Sequence, residues 1–262
     1  MSTLLTDKTA IIYGAAGGIG SGVARTFARE GATVFLAGRT RATLEALADE
    51  IRAAGGRAEV GVVDALDEAA VDAHAEDVAA RAGSIDVSFN LITRGDVQGV
   101  ALLDMAAPDL TRAVVDGLTS TFFTARAAGR RMVSQGSGVI LGLTSGSSRG
   151  AAPMMGSTGP ADAATEVFLR HLASEVGPHG VRVAGIHTAA VAETLTREKI
   201  EAVAGPGGPD PEQILQGIAA MTMLRRPPAL ADVAETAAFL ASDRAAGITS
   251  GIVNVTCGLL AG

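Results

Sequence analysis

Seven short apolar runs, "TAIIYG", "TVFLAG", "AEVGVVD", "IDVSFNLI", "GVILGLT", "VRVAGIH" and "GIVNVT", recur along the chain with longer segments of helical period between them. Strands this apolar have no polar face to turn to water, so they must be covered on both sides. A parallel sheet between two helical layers meets that demand, because each crossover between strands lays a helix on one face. The expectation is an α/β fold: a Rossmann-like, doubly wound parallel sheet of seven strands with helices on both faces, formed by residues 1–262 as a single domain.

The intervening segments carry matching stripes. Val23, Ala24, Phe27 and Ala28 fall on one helical face, and Leu44, Leu47 and Ile51 on another, while Arg25, Arg29 and Glu30 point away. Between about residues 188 and 228, "AGPGGPDP" and "RRPP" place glycine and proline where they interrupt any regular element. That stretch reads as an insertion covering a ligand site.

Composition removes several classes of function. No run approaches the roughly 18 apolar residues that a membrane span needs, so no membrane association is expected. The segment "MSTLLTDKTAIIYG" has neither the basic region nor the cleavage site of a secretory signal, which makes the cytoplasm the expected location. The 21 basic residues are scattered in a chain of net charge −7, so nucleic acid is not expected as a partner. Cys257 is the only cysteine, and the four histidines are not spaced as ligands, so neither a disulfide nor a metal is expected.

The chemistry begins at "TAIIYGAAGGIGSGVARTFAREGA", where Gly14, Gly18 and Gly20 stand between a strand and a helix. Gly14 permits a tight turn, Gly18 lets backbone approach a pyrophosphate, and Gly20 lets the helix pack closely on the sheet. The helix N-terminus then faces the phosphates with open N–H groups. An acidic residue at the end of the second strand would accept from an adenosine 2′-hydroxyl and repel a 2′-phosphate, but Gly38 and Arg39 stand there instead. A guanidinium grips a phosphate with two donors, which favours NADP(H) over NAD(H); a solvated arginine at a helix start is the other reading.

These residues resemble the short-chain dehydrogenase/reductase family of the type with a short three-glycine motif. The resemblance runs end to end, through "GVVDALDE", "GPHGVRVAGIH" and "MLRRPPALADVAETAAFLASDRAAGITSGIVNVTCG". It implies Asp64 beside the adenine amino group, with Ile19, Ala65 and Asn90 completing the nucleotide's surroundings. It also implies a small-molecule substrate and a homodimer or homotetramer joined through the long helices after strands four and five.

By the same resemblance, the family's catalytic serine, tyrosine and lysine fall at Ser145, Thr158 and Asp162. The count from Ser145 and the gap-free match of "FLRHLASEVGPHGVRV" agree on that register. The one tyrosine, Tyr13, adjoins Gly14 and is expected to pack against the turn rather than act as an acid. An aliphatic hydroxyl is not a titratable acid, so Thr158 can orient an oxygen but not exchange its proton readily. Asp162 reverses the local charge and could accept from ribose hydroxyls.

Other departures lie nearby. "NLIT" keeps only Asn90 of the family's turn after strand four, Gly117 falls at its helix-four asparagine, and Thr188 and Ala189 replace its proline-glycine. His187, at the end of strand six, reads either as an acid–base group or as a structural histidine. Arg94 and Asp96 read as a solvated loop that could line the mouth, and Met154 and Met155 as either a pocket wall or core.

The expected function is an atypical NADP(H)-dependent oxidoreductase acting on a small, mainly apolar carbonyl or enone substrate. Its proton would come from water, His187 or the substrate. The alternative is a non-redox protein on the same scaffold: a silent subunit in a hetero-oligomer with an active relative, or an isomerase, lyase or cyclase.

Overall fold

The computed structural model describes residues 3–150, 152–204 and 210–261. The seven apolar runs form β1 (Thr9–Tyr13), β2 (Thr33–Gly38), β3 (Arg57–Val62), β4 (Val87–Asn90), β5 (Gly138–Thr144), β6 (Val181–Thr188) and β7 (Ile252–Val255). They pair in parallel in the order β3-β2-β1-β4-β5-β6-β7. Between them lie α1 (Gly18–Arg29), α2 (Arg41–Ala53), α3 (Glu68–Ala82), α4 (Ala107–Gln135), α5 (Thr158–Val176), α6 (Arg197–Ala204), α7 (Pro211–Met221) and α8 (Leu230–Ala241).

Strand period divides the core in two. Ala10 and Ile12 of β1 join Phe27, Leu36, Leu44 and Val233 on one face. Ile11 and Tyr13 join Phe35, Val78, Ile140 and Leu169 on the other. Successive side chains of a strand point to opposite faces, so two layers of helices are needed to cover a strand as apolar as β1. No helix among the described residues is long and apolar enough to cross a membrane.

The strand order reverses between β1 and β4, and the loops leaving their carboxyl ends diverge there. Such a divergence opens a crevice at that edge of the sheet. The glycine turn after β1, the long segment 91–106 after β4 and the segment 145–157 after β5 all leave at this edge.

The stretch 188–228 departs from expectation. Its described residues contain a 3-10 turn at Ala192–Thr194 and two helices, α6 and α7. Proline does not interrupt α7 but starts it: Pro211 occupies the first turn, where its missing N–H costs nothing, and Asp210 caps the helix by accepting from Glu212 N–H. Residues 205–209, within "AGPGGPDP", lie outside the described residues.

Candidate active site

The glycine turn is built by exclusion of side chains. Gly14 has φ +74°, and a Cβ on it would stand 2.6 Å from the Leu91 carbonyl oxygen of the neighbouring loop. A Cβ on Gly20 would collide with the Gly14 carbonyl, so α1 approaches β1 only because no side chain is there. Gly17 caps α1 without a side-chain hydrogen bond, and no acidic residue lies in the first turn. The N–H groups around Gly18, Ile19 and Gly20 therefore keep the positive end of the helix for a ligand. Thr194 reaches over this turn, its methyl 2.9 Å from where a Gly18 Cβ would be.

Around the turn stand the other residues expected at a nucleotide. Arg39 is exposed beyond β2 and forms no ion pair among the described residues. Asp64 is exposed after β3, one carboxylate oxygen accepting from Leu66 N–H at 3.0 Å, and Ala65 beside it is buried. Asn90 is tied to protein groups: its amide donates to Ser120 Oγ and Thr121 Oγ1 of α4, and its oxygen accepts from Ile92 N–H. With those groups engaged, its side chain fastens β4 to α4.

Tyr13 is sealed in the core. Its ring packs edge-on to His74 at 5.9 Å, and its hydroxyl is buried without a hydrogen-bond partner among the described residues. Burial, reinforced by Asp72, holds the phenol above its ordinary value, the opposite of what proton transfer near neutrality requires.

At the end of β5, α5 presents two buried carboxylates one turn apart, Asp162 and Glu166, and both clamp the loop that carries Ser145. Asp162 Oδ2 accepts from Ser145 Oγ at 2.6 Å, from Ser145 N–H at 3.0 Å and from Ser147 N–H at 3.1 Å. Its Oδ1 accepts from Arg94 Nη1 at 2.8 Å. Glu166 Oε1 accepts from Ser148 Oγ at 2.7 Å and Thr144 Oγ1 at 3.1 Å, and shares a hydrogen bond with His187 Nε2 at 3.0 Å.

These contacts correct several expectations. Asp162 is fully buried and turned to protein donors, so it is not open to ribose hydroxyls. Arg94 is not solvated: its side chain is 14% exposed, held between Asp162 and Asp96, with its stem filling the space that Gly117 leaves. His187 is buried beneath Gly146 and bonded to Glu166, and no bond links it to Ser145 among the described residues. Ser157 stands at the N-cap of α5, and its hydroxyl accepts from Val97 N–H instead of capping the helix.

Ser145 and Asp162 are thus brought together, while Thr158 Oγ1 accepts from Gln98 Nε2 at 3.1 Å and has no bond to Ser145 among the described residues. The segment after β4 also donates Gly99 N–H to the Met154 carbonyl, so two loops close over the start of α5. The sequence reading missed Gln98, Ser147, Ser148 and Glu166 as parts of this site. Glu166 had a signal: it lies four residues after Asp162 and so shares its helix face.

A family model described as Enoyl-(Acyl carrier protein) reductase matches residues 14–260 of this chain. The chain belongs to the short-chain dehydrogenase/reductase family. Among its short-chain dehydrogenase/reductase relatives, the 7alpha-hydroxysteroid dehydrogenase of Escherichia coli (strain K12) is 31% identical over 254 residues, 97% of this chain and 94% of that one. Oxidoreductase UcpA of Escherichia coli O157:H7 is 34% identical over 257 residues, with the same coverage of 97% and 94%. A solved 7α-hydroxysteroid dehydrogenase, complexed with NADH and 7-oxo glycochenodeoxycholic acid, superposes with a TM-score of 0.83 at 29% identity, covering 98% of this chain and 96% of that chain. The seven-stranded parallel sheet with helices on both sides is the architecture shared with such structures.

Proposed function

We propose that this chain is an atypical short-chain oxidoreductase that binds NADP(H) and acts on a small, mainly apolar carbonyl or enone compound, without the family's tyrosine and lysine. One observation carries the reading: an uncapped helix N-terminus, stripped of side chains and acids, lies at the sheet's switch point. The residues present fit a dinucleotide. The N–H groups of Gly18, Ile19 and Gly20 would hold its diphosphate, Arg39 its 2′-phosphate and Asp64 its adenine. When bound, the nicotinamide would supply or take the hydride.

What the chain's own residues contribute beyond that is position. Thr158 and Asp162, in place of tyrosine and lysine, offer no acid of suitable strength, and His187 is buried against Glu166. Hydride transfer depends first on alignment, which such a site can still supply. Exposed Leu102, Met154 and Met221 on the segments bordering the crevice support an apolar substrate, and the insertion 188–228 would cover it.

A homo-oligomer joined through α4 and α5 is part of the same proposal. Val115, Phe122 and Val167 leave apolar surface exposed on these two helices.

Calorimetric titration with NADPH and NADH tests the reading. Saturable binding with NADPH the tighter ligand is expected; no saturation with either nucleotide, oxidised or reduced, sinks it. NADPH binding without consumption across a carbonyl and enone panel would turn the assignment toward a non-redox protein.

A further inference from the structure

The hydrogens of the site can be counted. Every group touching Asp162 is a donor, as an ionised carboxylate requires: Arg94 Nη1, the N–H groups of Ser145 and Ser147, and Ser145 Oγ. Since a carboxylate cannot donate, the 2.6 Å contact fixes the direction of the Ser145 hydroxyl: its single hydrogen goes to Asp162.

That direction propagates. Ser145 Oγ lies 2.7 Å from Ser147 Oγ, and with its own hydrogen committed it can only accept there. The hydrogen between them therefore belongs to Ser147. Ser145 also accepts a longer branch from Ser147 N–H at 3.3 Å, so its lone pairs are engaged as well. The chain of hydrogens runs from Ser147 to Ser145 to Asp162, and Arg94 anchors its anionic end. At the other end, Ser147 Oγ has spent its hydrogen and keeps lone pairs that no described residue occupies, on a side chain that is only half-buried.

We infer that Ser147, and not Ser145, supplies the ligand-recognising hydroxyl of this site, and that it selects a hydrogen-bond donor, the hydroxyl of an alcohol, over a carbonyl oxygen. A carbonyl accepts only, and set against Ser147 it would meet lone pair with lone pair. For a carbonyl to gain a bond, the Ser147 hydrogen would have to leave Ser145, so one hydrogen bond is exchanged for another and none is added, whereas an alcohol adds one. Asp162 and Arg94 act here as positioning residues that set the polarity of the serines. The inference rests on the oxidoreductase reading only in taking this loop as the substrate-facing one, and it names the alcohol as the better-held partner of an alcohol–carbonyl pair.

Neutron diffraction from the deuterated full chain tests the polarity without any ligand. Deuterons are expected on the Ser147–Ser145 and Ser145–Asp162 lines; one on Asp162, or a Ser145 deuteron turned away from it, overturns the inference. The second measurement is titration of the same chain with cyclohexanol against cyclohexanone and 2-octanol against 2-octanone, with and without NADP+. The alcohols should bind roughly tenfold tighter than their ketones, the worth of about one hydrogen bond. Ser147→Ala should abolish that preference and Ser147→Thr keep it, with thermal melts confirming that both variants fold. Ketones held as tightly as alcohols, or no alcohol held at all, also overturns it. Nucleotide titration is read separately: a chain that binds no NADPH removes the proposed oxidoreductase, while the deuteron positions stand or fall by themselves.

Discussion

Arg94 lies against Gly117 because Gly117 has no side chain: a Cβ there would collide with the Arg94 stem. The two residues come from different elements, the segment after β4 and the middle of α4, and their contact is what lets the guanidinium reach Asp162. A glycine in the interior of a long helix costs about 1 kcal/mol relative to alanine, so this position gives up helix propensity for an ion pair.

Gly117→Ala should therefore act through Arg94. Displacing the guanidinium leaves a fully buried carboxylate without its counter-ion, a loss of about 3–5 kcal/mol. Urea denaturation should show a similar drop for Arg94→Met, and the double variant should lose no more than either single one. Full additivity would mean that the glycine serves the helix and not the ion pair.

Stability should fall in mild acid because of His74. Its ring is packed against Tyr13, Nδ1 is buried without a partner among the described residues, and burial lowers its pKa from 6.5 to about 4. The folded state resists a proton that the unfolded chain accepts, so stability is full above about pH 6.5 and is lost as pH falls toward about 4, by roughly 3 kcal/mol in total. Denaturation midpoints measured across that window should flatten in His74→Gln. An unchanged slope would remove His74 as the cause.

Arg39→Asp should weaken NADPH about 10–100-fold in a titration while NADH changes little, since a charge-assisted contact to the 2′-phosphate is lost and a carboxylate is set in its place. Equal weakening of both nucleotides would show that Arg39 does not read the phosphate.

Restoring tyrosine and lysine should not suffice. In Thr158→Tyr with Asp162→Lys, the new ammonium would face Arg94 where a carboxylate now accepts at 2.8 Å, and two buried cations at contact distance repel by several kcal/mol. Ketone reduction should appear only when Arg94→Ala is added, by about 100-fold over the double variant, as befits a gained general acid. Activity in the double variant alone would refute this account of the ion pair.

What was legible in the sequence follows the range of each signal. The seven strands could be read because burial on both faces writes itself into consecutive residues, and the glycine turn because strand, turn and helix adjoin. The arrangement around Asp162 could not. Arg94 sits in a polar run, "TRGD", that looks solvated, and its burial depends on Gly117 in another element and on Asp162, 68 residues away. Likewise, Asn90 is a plausible ligand contact by position, yet Ser120 and Thr121 engage its amide from a helix that sequence alone does not orient. Local pattern reports that a side chain is polar; its partners are set by the crossing of distant elements.

The sealed position of Tyr13 has a spectroscopic corollary. The chain has no tryptophan and this one tyrosine, immediately before Gly14. Phenol fluorescence from this protein therefore has a single origin, at the foot of the glycine turn, and any ligand settling there would be seen by a built-in optical probe without a label.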